Sequence, residues 1–239
     1  MLGTILYEDD TMLAIDKPAG VLSIPDRFNP DLPNLIQGLK IKYPTLIPVH
    51  RLDKFTSGIN IFAKTTEAHR SLSMAFEDRL VEKYYYAIVD GVPAPESGII
   101  DVPLAESMVT RGKMLVNKRG KECKTAYKIE KNFKKYSLMY LRIFTGRMHQ
   151  IRVHMQYLGN PLVVDALYGN RTELYLSEIK GKSFHLGKFE NERPLLSRQP
   201  LHAHKIIVPH TITGTPVEIT SPMPKDMSAV VNQMEKWIR

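Results

Sequence analysis

With 239 residues, 43% hydrophobic and 24% charged, the chain has the make-up of an ordinary globular protein with a substantial core. No apolar run approaches the roughly 20 residues of a membrane span, the acidic start lacks the pattern of a secretory signal, and the lone cysteine, Cys123, has no internal disulfide partner; a reducing, cytoplasmic setting fits these features. The net charge of +8 favours polyanionic partners through phosphate contacts, and the basic residues recur along the chain, as on a folded surface, rather than in one tail.

In chain order, "ILYEDDTMLAIDKPAG" reads as two short strands joined by an acidic turn and closed by Pro18 and Gly20. "DLPNLIQGLKIKY" reads as a short helix capped by Asp31, and "GINIFAKT" alternates like a half-buried strand. In "TTEAHRSLSMAFEDRLVEK", Ala68, Leu72, Phe76 and Leu80 fall four apart on one helical face, with Thr65 or Thr66 as cap. "KYYYAIVDG" is a strand ending at a glycine turn, on which Tyr84 and Tyr86 face one way and Tyr85 the other, so Tyr85 need not be a core residue. "CKTAYKIEKNFKKYSLMYLRIFTG" gives two strands around a lysine-rich turn. "RMHQIRVHMQYLGN" gives a helix with Thr145 near its start and Gly159 past its end. On that helix Arg147, Ile151 and His154 share one side, with His149 and Arg152 nearer another. A hairpin, "HKIIVPHTITGTPVEIT", and a closing helix with proline in its first turn complete the chain, and the polar stretch 170–200 carries no clear pattern. Short turns between neighbouring strands point to an α+β fold with a mixed, mainly antiparallel sheet.

Two motifs fail on their partners. "HRLDKFTSG" has Leu52 between Arg51 and Asp53, no glycine-rich loop before it and no Asp-Phe-Gly after it, which excludes a kinase catalytic loop. "GKS" at 181–183 lacks the earlier glycine of a phosphate loop. His149 and His154, and His202 and His204, lack zincin spacing; the second pair shares a strand face, but no third ligand is apparent and structural roles are expected.

Three elements stand out together: Arg51-Leu52-Asp53 with Thr56, Ser57 and Gly58 behind it, Tyr85 in "EKYYYAIVDG", and "FTGRMHQIRVHMQYLG". A basic helix start of the last kind suits a phosphate through Arg147, His149 and free backbone N–H groups. "HRLDKFTSGINIFAKT" resembles the catalytic motif of the RluA family of RNA pseudouridine synthases. "DKPAG" is similar to that family's first motif, "VEKYYYAIVDG" to its Lys-x-Tyr-x-Ala strand with Lys83, Tyr85 and Ala87 in register, and "TGRMHQIRVHMQYLGNPLVVDALYG" to its third motif. "LHAHKI" and "SPMPKDM" match its C-terminal end, so ordered matches run from about residue 5 to 227.

The resemblance implies one catalytic domain over 1–239 with a central RNA-binding cleft, similar to the family's shorter members, and with 170–200 as a family-variable insertion. Met148 replaces a residue that is commonly small and polar. The implied reaction isomerises uridine to pseudouridine within structured RNA, a ribosomal or transfer RNA stem-loop. No cofactor, no metal, no obligatory protein partner and a monomeric state are expected. Asp53 is the implied catalytic carboxylate, and Arg152 the arginine that pairs with it; a neighbouring cation favours the ionised form. Whether the carboxylate attacks the sugar, attacks the base or removes a ribose proton stays open. Tyr85 is implied to stack on the target base, Arg51 to fill the space of an extruded base or hold a flanking phosphate, and Thr56, Arg147 and His149 to contact RNA. A non-catalytic RNA-binding factor on the same fold is disfavoured because both Asp53 and Arg152 are present, and a metal-dependent hydrolase because no ligand set is apparent.

Overall fold

The computed structural model describes residues 3–185, 187 and 191–238. In chain order the elements are β1 (Thr4–Glu8), β2 (Met12–Lys17), α1 (Leu35–Lys40), β3 (Ile47–Pro48), β4 (Ser57–Ala63), α2 (Thr66–Glu77), β5 (Glu82–Asp90), β6 (Ser97–Asp101), β7 (Leu104–Glu106), β8 (Met114–Val116), β9 (Lys124–Asn132), β10 (Tyr136–Ile143), α3 (Gln150–Tyr157), α4 (Leu176–Lys180), β11 (Leu201–Pro209), β12 (Pro216–Thr220) and α5 (Lys225–Trp237). The architecture is α+β with a mixed, mainly antiparallel sheet. Two compact units share these elements: residues 1–85 with 202–222, and residues 86–201 with 223–239.

In the first unit, β2 runs antiparallel between β1 and β4. β4 also takes β3 antiparallel and β11 in parallel, and β12 pairs with β11. Every residue of β4 is buried, where its alternation predicts a half-buried strand. Two apolar clusters explain this. Ile59, Ile61 and Ala63 pack with Ala68, Leu72 and Ala75 of α2, while Phe62 packs with Leu35, Ile36 and Leu39 of α1. A strand covered on both faces has no solvent side to alternate toward. The parallel step sets Ala203 opposite Gly58. Gly58 has φ +107°, and a Cβ there would stand 2.2 Å from the Ala203 carbonyl oxygen, so glycine is required.

Several boundaries differ from the sequence expectation. The cap of α1 is Asn34, whose side chain accepts from Gln37 N–H at 3.0 Å, and not Asp31. Thr65 caps α2 by accepting from Ala68 N–H. That helix stops at Glu77, because Arg79 turns left-handed (φ 60°) and the N–H groups of Arg79 and Leu80 return to Phe76 and Ala75 carbonyls. Leu80 therefore leaves the apolar face and is 63% exposed. Pro224 is the cap of α5 instead of a residue of its first turn.

In the second unit the order is β5-β10-β9-β6, with β9 antiparallel to both β10 and β6. β7 and β8 form a separate two-stranded ribbon. Strands β3, β7 and β8 escape the sequence reading because they are two or three residues long and too short for a periodic signal; the five-residue β6 escapes it as well. One face of α5, with Met227, Val230, Val231 and Met234, packs on Ile88, Leu138, Val163 and Val164. Leu174, Ile179 and Leu196 join that core, so the expected insertion is more than a surface loop; residues 186 and 188–190 lie outside the described residues.

Candidate active site

The loop before β4 is held by backbone hydrogen bonds on both sides of Asp53. Leu52 N–H donates to Ser23 Oγ at 3.0 Å, and the Ser23 hydroxyl donates to the Leu52 carbonyl at 3.2 Å. On the other flank, the Lys54 carbonyl accepts from Lys17 Nζ at 3.1 Å and from Gly20 N–H at 2.9 Å. Lys17 is completely buried and also donates to the Pro18 and Val21 carbonyls at 3.0 and 2.8 Å. Its ammonium thus ties the "DKPAG" segment to "HRLDK". Thr56 N–H closes the turn on the Asp53 carbonyl at 3.1 Å, and Asn60 Nδ2 donates to the His50 carbonyl at 3.1 Å. Asp53 ends up half-buried, Arg51 exposed and Thr56 buried.

Tyr85, on β5, is only 7% exposed, a correction to the expectation that it need not be a core residue. The three tyrosines do alternate, but the face carrying Lys83, Tyr85 and Ala87 is the buried one. Burial first, and then the Asp53 carboxylate, push the Tyr85 phenol well above the ordinary range. The phenol therefore stays protonated at neutral pH, and Asp53 lies close enough to act on it through space.

In the second unit the expected helix starts late. Gln150 opens α3, and His149 before it is left-handed (φ 56°), so Arg147 and His149 precede the helix and Thr145 does not cap it. The buried Gln150 amide instead ties the turn before the helix: its oxygen accepts from the Thr145 hydroxyl at 2.8 Å and Arg147 N–H at 3.0 Å, and its NH2 donates to the Lys124 carbonyl and Thr125 Oγ1 at 2.9 Å each. Arg147 Nε donates to the Glu122 carbonyl at 3.0 Å. His149 Nδ1 meets the Tyr168 hydroxyl at 2.8 Å, which also accepts from Met114 N–H at 2.7 Å.

Arg152 is buried with a carboxylate the motif reading left without a role. Its Nε and Nη2 donate to Asp165 Oδ2 and Oδ1 at 2.6 and 2.8 Å, and its guanidinium lies 4.8 Å from the Tyr168 ring centre. Asp165 Oδ1 also accepts from Leu167 and Tyr168 N–H groups. A bidentate pair with further donors on the carboxylate fixes both planes.

His202 Nδ1 meets Ser57 Oγ at 3.0 Å and His204 Nδ1 meets the Ser221 carbonyl at 2.7 Å, so these histidines tie strands together. Among the described residues no group of three or more His, Cys, Asp or Glu is placed to hold a metal, and no helix is long and apolar enough to cross a membrane.

Residues 11–157 match the profile of RNA pseudouridylate synthases. The chain belongs to that family. It is 34% identical to ribosomal large subunit pseudouridine synthase D of Xanthomonas campestris pv. campestris, over 97% of this chain and 69% of the relative. It is 38% identical to the protein of the same name from Pseudomonas aeruginosa, over 93% of this chain and 68% of the relative. The fold matches human RNA pseudouridylate synthase domain containing 4 with a TM-score of 0.75, at 24% identity over 97% of this chain and 92% of that one. As a pseudouridine synthase the chain is an isomerase that converts uridine to pseudouridine in RNA.

Of the residues expected to serve this pseudouridine synthase, Arg51, Asp53, Thr56 and Tyr85 fall in the first unit, and Arg147, His149 and Arg152 in the second. The sequence reading missed the residues that hold them: Lys17, Ser23 and Asn60 around Asp53, and Gln150, Asp165 and Tyr168 around α3. All but Ser23 lie inside quoted motif stretches; what was lacking was a signal for which backbone groups they meet.

Proposed function

We propose that Asp53 is the carboxylate on which the isomerisation turns, and that its substrate is large-subunit ribosomal RNA. The observation that carries the first part is the loop geometry: a half-buried carboxylate whose two neighbours are both fixed by buried side chains, with a protonated Tyr85 under its field. A carboxylate held this way is preorganised for chemistry. The second part is supported by the relatives, which are named ribosomal large subunit pseudouridine synthases, and transfer RNA is the alternative.

In the reaction the bond from uracil N1 to ribose C1′ breaks, a bond from C5 to C1′ forms, C5 loses its proton and N1 gains one. Nothing is oxidised or reduced, so no cofactor is required. Asp53 assists the exchange of bonds at the ribose, Tyr85 lies against the base, and Arg152 supports the site as a fixed cation. Arg51, Thr56, Arg147 and His149 contact the RNA. The target uridine leaves its stack to react, which costs a few kcal/mol and is easiest in loops and bulges. The protein works in the cytoplasm as a monomer, without an obligatory protein partner.

Asp53→Asn tests this reading. Tritium release from RNA labelled at uridine C5 is expected to stop while RNA affinity stays close to wild type; appreciable turnover by the variant would sink the assignment.

A further inference from the structure

Two buried lysines of the first unit differ in one respect. Lys17 gives its ammonium to three carbonyls. Lys83 is 8% exposed, yet among the described residues its ammonium meets no hydrogen-bond acceptor and no carboxylate. Its contact is the face of Phe76, 5.3 Å from the ring centre. An ammonium withdrawn from water with no counter-charge is costly, and burial pushes Lys83 below the ordinary lysine range.

The same ring carries a second donor. His50 stacks on Phe76 with ring centres 4.9 Å apart and planes 25° apart. Its Nε2 accepts from Ile61 N–H at 3.0 Å, which places the ring proton on Nδ1. Burial first, and then the Lys83 charge, keep the imidazole neutral, with its pKa down to about 3. Nδ1–H also has no acceptor among the described residues. Neither Lys83 Nζ nor His50 Nδ1 is among the partnerless polar atoms sealed from solvent. Phe76 thus has one cation and one neutral N–H donor beside it, neither with an acceptor among the described residues.

The position bears on the reaction. Lys83 and Tyr85 lie on the same face of β5, about 7 Å apart along a strand, and Asp53 acts on Tyr85. A ligand that satisfies a full positive charge together with a neutral donor is an anionic oxygen. A uracil carbonyl would leave the ammonium without a counter-charge.

We propose that Lys83, with His50 Nδ1–H beside it, is a subsite for one backbone phosphate of the RNA next to the target nucleotide. The proposal rests on the reading of Asp53 and Tyr85 as the reacting centre. Phosphate binding supplies the missing counter-charge and fixes the strand at a point whose distance from the base is set by the rigid β5 backbone.

Binding of a fluorescein-labelled oligouridylate, read by anisotropy, tests it with wild type, Lys83→Met and Lys83→Arg. Between about 50 and 200 mM salt, Lys83→Met is expected to lower the salt slope by about 0.7, the value for one phosphate contact on a single strand, and to weaken binding about five- to tenfold at the low-salt end. Lys83→Arg, which keeps the charge, retains the slope. Lys83→Met with wild-type affinity and slope would overturn the proposal. If thermal melting shows that Lys83→Met does not fold, wild type decides. Inorganic phosphate is then titrated while the His50 Cε1 proton is followed by NMR: a saturable shift supports the subsite and an unmoved resonance overturns it. Failure of the Asp53 reading is separate, since it appears as persisting turnover in Asp53→Asn and not as a change in salt slope.

Discussion

Ser23 and Leu52 are bonded to each other twice, through Leu52 N–H to Ser23 Oγ at 3.0 Å and through the Ser23 hydroxyl to the Leu52 carbonyl at 3.2 Å. Both residues are buried, and the pair sits one position before Asp53. Ser23→Ala removes both bonds and leaves two buried backbone groups unmatched. A stability loss of about 1–3 kcal/mol is expected, together with a fall in turnover of about tenfold from a misplaced carboxylate. Urea unfolding and tritium release check the two effects separately.

Tyr85 separates stacking from proton transfer. Because its phenol stays protonated, Tyr85→Phe preserves the ring and changes only the hydroxyl. Tyr85→Phe is expected to keep more activity than Tyr85→Ala, with the alanine variant losing about 1–3 kcal/mol of base contact. Equal losses in turnover would assign the work to the hydroxyl.

The pair of Arg152 and Asp165 is buried on both sides. Asp165→Ala removes the bidentate carboxylate from a buried guanidinium, so a loss of about 3–5 kcal/mol is expected. Denaturant midpoints of Asp165→Ala and of the double variant Arg152→Met/Asp165→Ala measure it. The double variant is expected to recover part of the loss, because it removes the buried charge along with its carboxylate.

His50 sets an acid limit. Its folded pKa is near 3 against an ordinary 6.5. Between those values the unfolded chain binds a proton that the folded chain refuses, so stability rises with pH across the window and falls as pH drops from about 6.5 toward 3. Lys83, whose charge opposes the imidazolium, contributes to this. Urea midpoints measured across that window should show a shallower acid-side decline in His50→Gln than in wild type.

Local pattern reached far into this protein. The two strands before "DKPAG", the capped helix after Thr65, the lysine-turn hairpin and the closing helix all form where periodicity and turn residues place them, since their signals span nearly the whole element. Boundaries moved where a single residue's geometry prevails over periodicity: left-handed Arg79 ends α2 before Leu80, and left-handed His149 delays α3 past Arg147. Membership of the pseudouridine synthase family was likewise legible, because the motifs stand in order along nearly the whole chain.

Burial and partnership were decided only by the tertiary fold. Nothing local says that β4 is covered on both faces, since that depends on α1 and α2 arriving from opposite sides. The buried side of the tyrosine strand was open to either choice, because a period of two names the faces without saying which one meets the core. Lys17, Lys83 and Arg152 are three cations in three motifs with the same formal charge. One binds carbonyls, one meets no counter-charge among the described residues, and one is paired with Asp165 thirteen residues away. Hydrogen-bond partners come from distant segments brought within 3 Å, and a linear sequence carries charge and period but not that proximity.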